Sequence, residues 1–223
     1  MLSRLYTLGL LLCLLPACGL YDDREYRRGE RALQAGDYAE AYCRWRPLAE
    51  AGHTAAQYSI GWMYANGEGL SLDETEALRW WRPAAEQGHA DAQFAVAKAY
   101  LNGEGTEENP AQAVKWLRSA SARGVEDAGI ILRDMAGRDV APARDLLRFL
   151  LAQKRWRELG GVRRVGKKTA NVRSGIGTGR KQVATLEPGA EVLALRTEAG
   201  WVRVGIPGNG AMGWVYGPLL EGE

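Results

Sequence analysis

The stretch AEAGHTAAQYSIGWMYANGEG, residues 49–69, decides the reading of this chain, because it returns 36 positions later as AEQGHADAQFAVAKAYLNGEG, residues 85–105. The match continues beyond the quoted stretch, with Ala77 and Trp80 returning as Ala113 and Trp116. Self-similarity at a fixed period of this size signals stacked supersecondary units. Within each unit small and apolar residues recur at helical spacing, Asn-Gly-Glu-Gly breaks a first helix, and Gly52 or Gly88 ends a second. Asp73 and Asn109 stand where an N-cap would precede the second helix, and Pro110 suits its first turn. Each unit is therefore predicted to be a helix-turn-helix.

The pattern, roughly A-x-Y-x-x-G-x-x-Y-x-x-G-x-G followed by A-x-x-W-x-x-x-A, is similar to Sel1-like repeats, relatives of the tetratricopeptide repeat. Units at 53–88 and 89–124 are nearly complete. Gly36 to Gly52 supplies a preceding helix, and Gly124 to Met135 a divergent following one. Ala97 stands where the first unit has Gly61, a change expected to weaken one close contact. Units of this kind cannot bury their apolar faces alone, so the flanks must cap them. Residues 139–159, with an apolar stripe of Leu146, Phe149, Leu150 and Leu151 and with Pro142 near the start, are expected to do so.

Beyond Gly160-Gly161 the periodicity falls to two, and short β-branched runs containing Val183, Val192, Val202, Val204 and Val215 alternate with glycine and proline. Strands are predicted near 170–172, 182–186, 191–197, 201–205 and 212–216. The combination Asn171-Val172-Arg173-Ser174-Gly175, Pro188-Gly189, Gly200-Trp201-Val202 and Gly213-Trp214-Val215 resembles the bacterial Src-homology-3-like domain. Ile176 departs from the proline often found there. The fold class expected is thus multidomain α plus β, an α-helical repeat solenoid followed by a small all-β barrel. Its parts are a repeat array at 18–159, a basic linker at 160–168 and the barrel at 169–223.

At the other end, Leu8 to Leu15 is an apolar run too short to span a bilayer, and reads as a signal-peptide core. The following Leu15-Pro16-Ala17-Cys18 resembles a bacterial lipobox, which implies cleavage after residue 17, acylation of Cys18 and anchoring rather than spanning. Removing 1–17 discards Cys13 and takes the formal charge from +2 to +1, since Arg4 is the one charged residue lost. Two readings remain open for Cys18: acylation, or a disulfide with Cys43. If Cys18 is acylated, Cys43 is expected to be a small buried hydrophobe. Gly19 after the cysteine points, for a Gram-negative cell, to the outer membrane facing the periplasm.

Near-neutral charge excludes the basic footprint of a nucleic-acid binder. Gly175-Ile176-Gly177-Thr178-Gly179 precedes a strand instead of opening a helix, so it is no dinucleotide loop. Gly161 to Lys167 has phosphate-loop spacing, but Lys168 occupies the position of the metal-binding hydroxyl. The two histidines, His53 and His89, are repeat-equivalent, which favours a structural role over shared metal or acid-base work. No cofactor, metal site or catalytic residue is expected, and the chain is not read as an enzyme. The seven basic residues between Lys154 and Lys168 could meet anionic lipid or wall polymer, or simply be solvated.

Tryptophans at repeat positions, Trp45, Trp80, Trp81 and Trp116, are expected to be packing. Trp62, whose equivalent is Lys98, should be partly exposed, and both are candidate binding residues. Trp201 and Trp214 either close the barrel core or line a groove, and Tyr216 joins them as a candidate. Together these features imply a non-catalytic, membrane-anchored adaptor of the bacterial envelope. Its repeats would bind an envelope protein and its barrel a peptide or peptidoglycan. The alternatives are a structural spacer, or an accessory subunit of a cell-wall hydrolase using carboxylates such as Glu68 and Glu104.

Overall fold

The computed structural model describes residues 18–222, with side chains from Asp23 onward. The expected leader at 1–17 and the Cys18 side chain lie outside the described residues. Eight helices come first: α1 (Cys18–Gln34), α2 (Tyr38–Glu50), α3 (Thr54–Asn66), α4 (Glu74–Glu86), α5 (Ala90–Asn102), α6 (Pro110–Ser121), α7 (Glu126–Gly137) and α8 (Ala141–Ala152). A 3-10 turn at Trp156–Leu159 leads into seven strands: β1 (Val162–Val165), β2 (Ala170–Arg173), β3 (Gln182–Leu186), β4 (Glu191–Glu198), β5 (Trp201–Gly205), β6 (Met212–Tyr216) and β7 (Leu220–Glu221). Among the described residues no helix is long and apolar enough to cross a membrane. The chain divides into two compact units, one ending at Ala92 and the other starting at Gln93.

In the first unit the expected caps are present. Asp73 accepts a hydrogen bond from the Glu76 amide at 2.9 Å, and Asp37 does the same for Glu40 at 3.0 Å. Gly52 and Gly88 follow the last turns of α2 and α4 with φ of 94° and 92°, the left-handed region that lets a helix end without a Cβ clash. His53 also caps: its Nδ1 accepts from the Ala56 amide at 3.2 Å, and His89 Nδ1 accepts from Ala92 at 3.2 Å. The structural role anticipated for both histidines is therefore a specific one.

The structure adds a repeat that comparison at a period of 36 misses. Trp45 Nε1 donates to the Tyr26 carbonyl at 3.0 Å, and Trp81 Nε1 donates to the Tyr58 carbonyl at 3.1 Å. A Cβ at Gly29 would run into the Trp45 indole, as one at Gly61 would run into Trp81. Tyr26 and Gly29 lie 32 residues before Tyr58 and Gly61, while Trp45 lies 36 before Trp81. The pair α1–α2 is thus a further unit of the same build, with an interhelical loop four residues shorter. Its α2 shares with α3 a core in which Ala41, Trp45, Leu48, Ala56, Ile60 and Met63 are fully or almost fully buried.

In the second unit Asn109 caps α6 at 3.1 Å, and Pro110 occupies its first turn. The residue equivalent to Trp81 is Leu117, and Ala97 and Leu117 are both fully buried in one core, a larger residue at one position accompanied by a smaller one at the other. Helix α8 packs through Leu150 and Leu151 of the expected stripe together with Leu147, with Leu146 only partly buried and Phe149 51% exposed.

The strands form one antiparallel sheet in the order β3-β2-β6-β5-β4-β1-β7, whose pairing does not close on itself. The segment 160–168 is not a free linker. Its β1 pairs with β4, while Arg164, with Arg157 from the preceding turn, meets Glu191, so the basic run is held by sheet hydrogen bonds and an acidic partner. One face of the sheet buries Val172, Val192, Val202, Val204 and Val215. Val183, on edge strand β3, stays 44% exposed. Side chains of alternate residues point oppositely, so Leu193 and Leu195 of β4 face the other way. They are buried in the same core as Leu132, Leu147, Leu150, Leu151 and Trp156. The sheet and the last two helices therefore share one core.

Candidate binding faces

The sheet's outer face is divided in two. At one end Leu193 and Leu195 lie under α7 and α8, and Arg203 donates to the Gly137 carbonyl at 2.7 Å and to Asp139 at 2.8 Å. The other end carries aromatic residues. The two-residue connection Ala199-Gly200 has φ of 48° and 75°, as a tight hairpin turn requires, and delivers Trp201 at the start of β5 directly opposite Tyr216 of β6. Their ring centroids are 5.7 Å apart and tilted by 59°, a favourable aromatic arrangement. Two residues along, Arg203 pairs with Trp214, and Trp214 pairs in turn with Arg173 of β2. Directly paired residues share a face, so Trp201, Trp214, Tyr216 and Arg173 form one surface.

These aromatics neither close the core nor lie fully open. Trp201 and Trp214 are half-buried, Tyr216 is 48% exposed, and the interior is filled by valines on the opposite face. Close backbone approach fixes this end of the face: the Gly217 amide donates to the Gly200 carbonyl at 2.9 Å, tying the exit of β6 to the β4–β5 turn. Arg173, which the sequence reading did not single out, shares this face through its pairing with Trp214 and donates to the Arg180 carbonyl at 2.9 Å. Rigid aromatic rings flanked by arginine are the side chains that dominate recognition surfaces.

The helical candidates fall elsewhere. Trp62, on α3 in the first unit, is half-buried against its core, and Lys98, on α5 in the second, is exposed. The first unit carries a cluster that no repeat signal pointed to. Tyr42 and Tyr64 are joined through their side chains, a hydrogen bond that raises the Tyr64 phenol above its ordinary pKa. The Arg46 guanidinium lies 5.9 Å from the Tyr42 ring centre. Arg46 and Tyr64 recur in the next unit as Arg82 and Tyr100, but Tyr42 is replaced there by Leu78, so the grouping belongs to this unit alone. Glu68 bonds Tyr38, and Glu104 accepts from Asn102 at 2.8 Å, so both are engaged in turn structure. Cys43 is exposed on α2, not buried: it lies two residues from both Ala41 and Trp45, which face the core. Among the described residues no three His, Cys, Asp or Glu side chains are grouped to hold a metal ion.

The periodic helix pairs have a known counterpart, since residues 54–89 and 90–125 each match the Sel1 repeat family model. This chain contains two Sel1 repeats. The family boundaries lie one residue beyond those read from the sequence. A solved Sel1 repeat protein from Oxalobacter formigenes is 32% identical over 48% of this chain and 84% of its own, with a TM-score of 0.45. Another solved structure is c5321, a protective antigen present in uropathogenic Escherichia coli strains displaying an SLR fold. It is 25% identical over 63% of this chain and 35% of its own, with a TM-score of 0.51, so this chain spans about a third of that antigen's length. No curated protein matches the chain. Sel1 repeat proteins generally mediate protein–protein interaction, the family is typically a non-catalytic scaffold, and no catalytic family is indicated.

Proposed function

We propose that the chain is a non-catalytic adaptor of a bacterial cell envelope. Its helical repeats bind a protein partner, its sheet binds a peptide or peptidoglycan, and acylation of Cys18 tethers it to the outer membrane. The observation that carries the second ligand is the face formed by Trp201, Trp214, Tyr216 and Arg173, aromatic, half-exposed and uninvolved in the valine core. Stacking rings suit the apolar face of a sugar or a peptide side chain, and an arginine on the same sheet face suits carboxylates of either ligand. The strand pattern's resemblance to the bacterial Src-homology-3-like domain supports the same reading. For the repeats, the Tyr42–Tyr64–Arg46 cluster has the composition of an interface anchor.

Cosedimentation of the purified protein with insoluble peptidoglycan, and crosslinking to envelope proteins, test these roles separately. Trp201→Ala and Tyr216→Ala should each lower retention on the wall by about tenfold or more, the range for a central aromatic anchor. They should leave the protein crosslink in place. Unreduced retention in both variants would remove the sheet face from the proposal. Release of soluble wall fragments would instead favour the hydrolase-linked alternative.

A further inference from the structure

We propose that the outward face of α1 is a second membrane contact, in which Arg24, Arg27, Arg28 and Arg31 bind the phosphates of anionic phospholipids. This rests on the Cys18 anchor proposed above. The four arginines fall at i, i+3, i+4 and i+7, one stripe of the helix, and all are exposed. The opposite side, with Tyr26, Gly29 and Leu33, packs against α2. Glu25 is turned towards α2, meeting Arg44 at 2.9 Å and Arg28 at 2.6 Å. Among the described residues, Arg24, Arg27 and Arg31 have no carboxylate partner. Arg31 Nε reaches only the Arg27 backbone carbonyl, at 3.3 Å.

The repeat itself does not call for this stripe. With the displacement of 32 residues that relates α1 to α3, the arginines correspond to Ala56, Ser59, Ile60 and Met63, all buried where α3 lies against α2. In α1 these positions lie on the outermost of the described helices, and the end of a repeat array needs a polar surface to stay soluble. Solubility alone sets no sign. Four cations with like charges at 24/28 and 27/31 repel one another along the helix, and helix α3, its counterpart, has no charged residue at all. A negatively charged surface removes that repulsion. The stripe also begins where such a surface would be: Arg24 and Arg31 are six and thirteen residues beyond Cys18, about 9 and 20 Å along the helix axis. Each basic group near an anionic leaflet strengthens association about fivefold.

The test uses the chain from residue 18 onward carrying Cys18→Ala, which keeps every described element and has no acyl chain. Vesicles are phosphatidylcholine alone, or phosphatidylcholine mixed with phosphatidylglycerol. The protein should cosediment with the mixed vesicles only and be released by high salt, since exposed charges are screened. Arg24→Gln/Arg27→Gln/Arg31→Gln should weaken binding on the order of 100-fold with the helical circular dichroism unchanged. Lys115→Gln/Arg118→Gln/Arg123→Gln, the same charge change at exposed positions elsewhere, should leave binding intact. Equal binding to both vesicles, or equal loss in the two triple variants, would overturn the proposal. Mass spectrometry of the N-terminal peptide from membranes reads acylation of Cys18 independently, so loss of the anchor and loss of the arginine contact are distinguishable.

Discussion

Gly61 and Trp81 occupy one space, since any Cβ at 61 would meet the indole, and in the next unit Ala97 and Leu117 stand at the equivalent positions, both fully buried. This complementarity predicts a thermodynamic cycle. Gly61→Ala alone should destabilise the first unit by about 1–3 kcal/mol through overpacking. In a Trp81→Leu background the same change should cost nothing or stabilise by up to ~1 kcal/mol, because alanine is the better helix former. Urea denaturation of the four variants checks it, and an unchanged cost in the double variant would refute the coupling. His89 offers a second residue-scale prediction. Burial pushes its imidazole pKa below the usual histidine value of 6.5, partly opposed by Asp91. The unfolded chain therefore takes up the proton first as pH falls. The stability His89 confers is complete above about pH 6.5 and is lost as pH drops through its lower folded value. Protonation would also consume the Nδ1 lone pair that caps Ala92. His89→Asn, which keeps a cap acceptor, should flatten the fall in Tm between neutral and mildly acid pH.

Each helix of the first unit is punctuated by residues that do one conformational task. Gly88 has a φ of 92°, outside the range a β-branched residue adopts without strain. Gly88→Val should lower stability by roughly 1–3 kcal/mol, the range for strain at a special backbone conformation. Unaltered thermal unfolding would show that the α4 end can be remade another way. Asp73→Ala should cost about 1 kcal/mol through the lost cap of α4, whereas Asp73→Asn should cost far less. These element boundaries were legible in the sequence because caps and terminating glycines act within a few residues. Helix α1 was not legible as part of a repeat: shortening one loop by four residues shifts its register against the rest, and a fixed period no longer finds it.

In the second unit the joining of sheet to helices is the decisive feature. Leu193 and Leu195 point away from the valine core into that of α7 and α8, and Arg203 crosses to Gly137 and Asp139. Sheet and terminal helices should therefore unfold together. Leu193→Ala should cost about 2–5 kcal/mol and lower the midpoints read by helical circular dichroism and by tryptophan fluorescence equally. Two transitions separating in that variant would mean independent cores.

Whatever repeats or acts locally was legible along the chain: the helix pairs, their caps and glycine ends, and the alternation of most strands. Which of these residues meet is set by packing between elements far apart in the chain. Whether Trp201 and Trp214 faced inward was undetermined, because a strand's alternation places valine and tryptophan on opposite faces without saying which face is the core. Strand β1 hid inside a basic run because Arg163 and Arg164 are satisfied by pairing and by Glu191, partners 27 or more residues away. The arginine stripe of α1 is visible as spacing alone, but only the packed position of its opposite face shows that it is left outward. Local chemistry is written in neighbours along the chain; faces are assigned by burial, which depends on partners the linear sequence does not order.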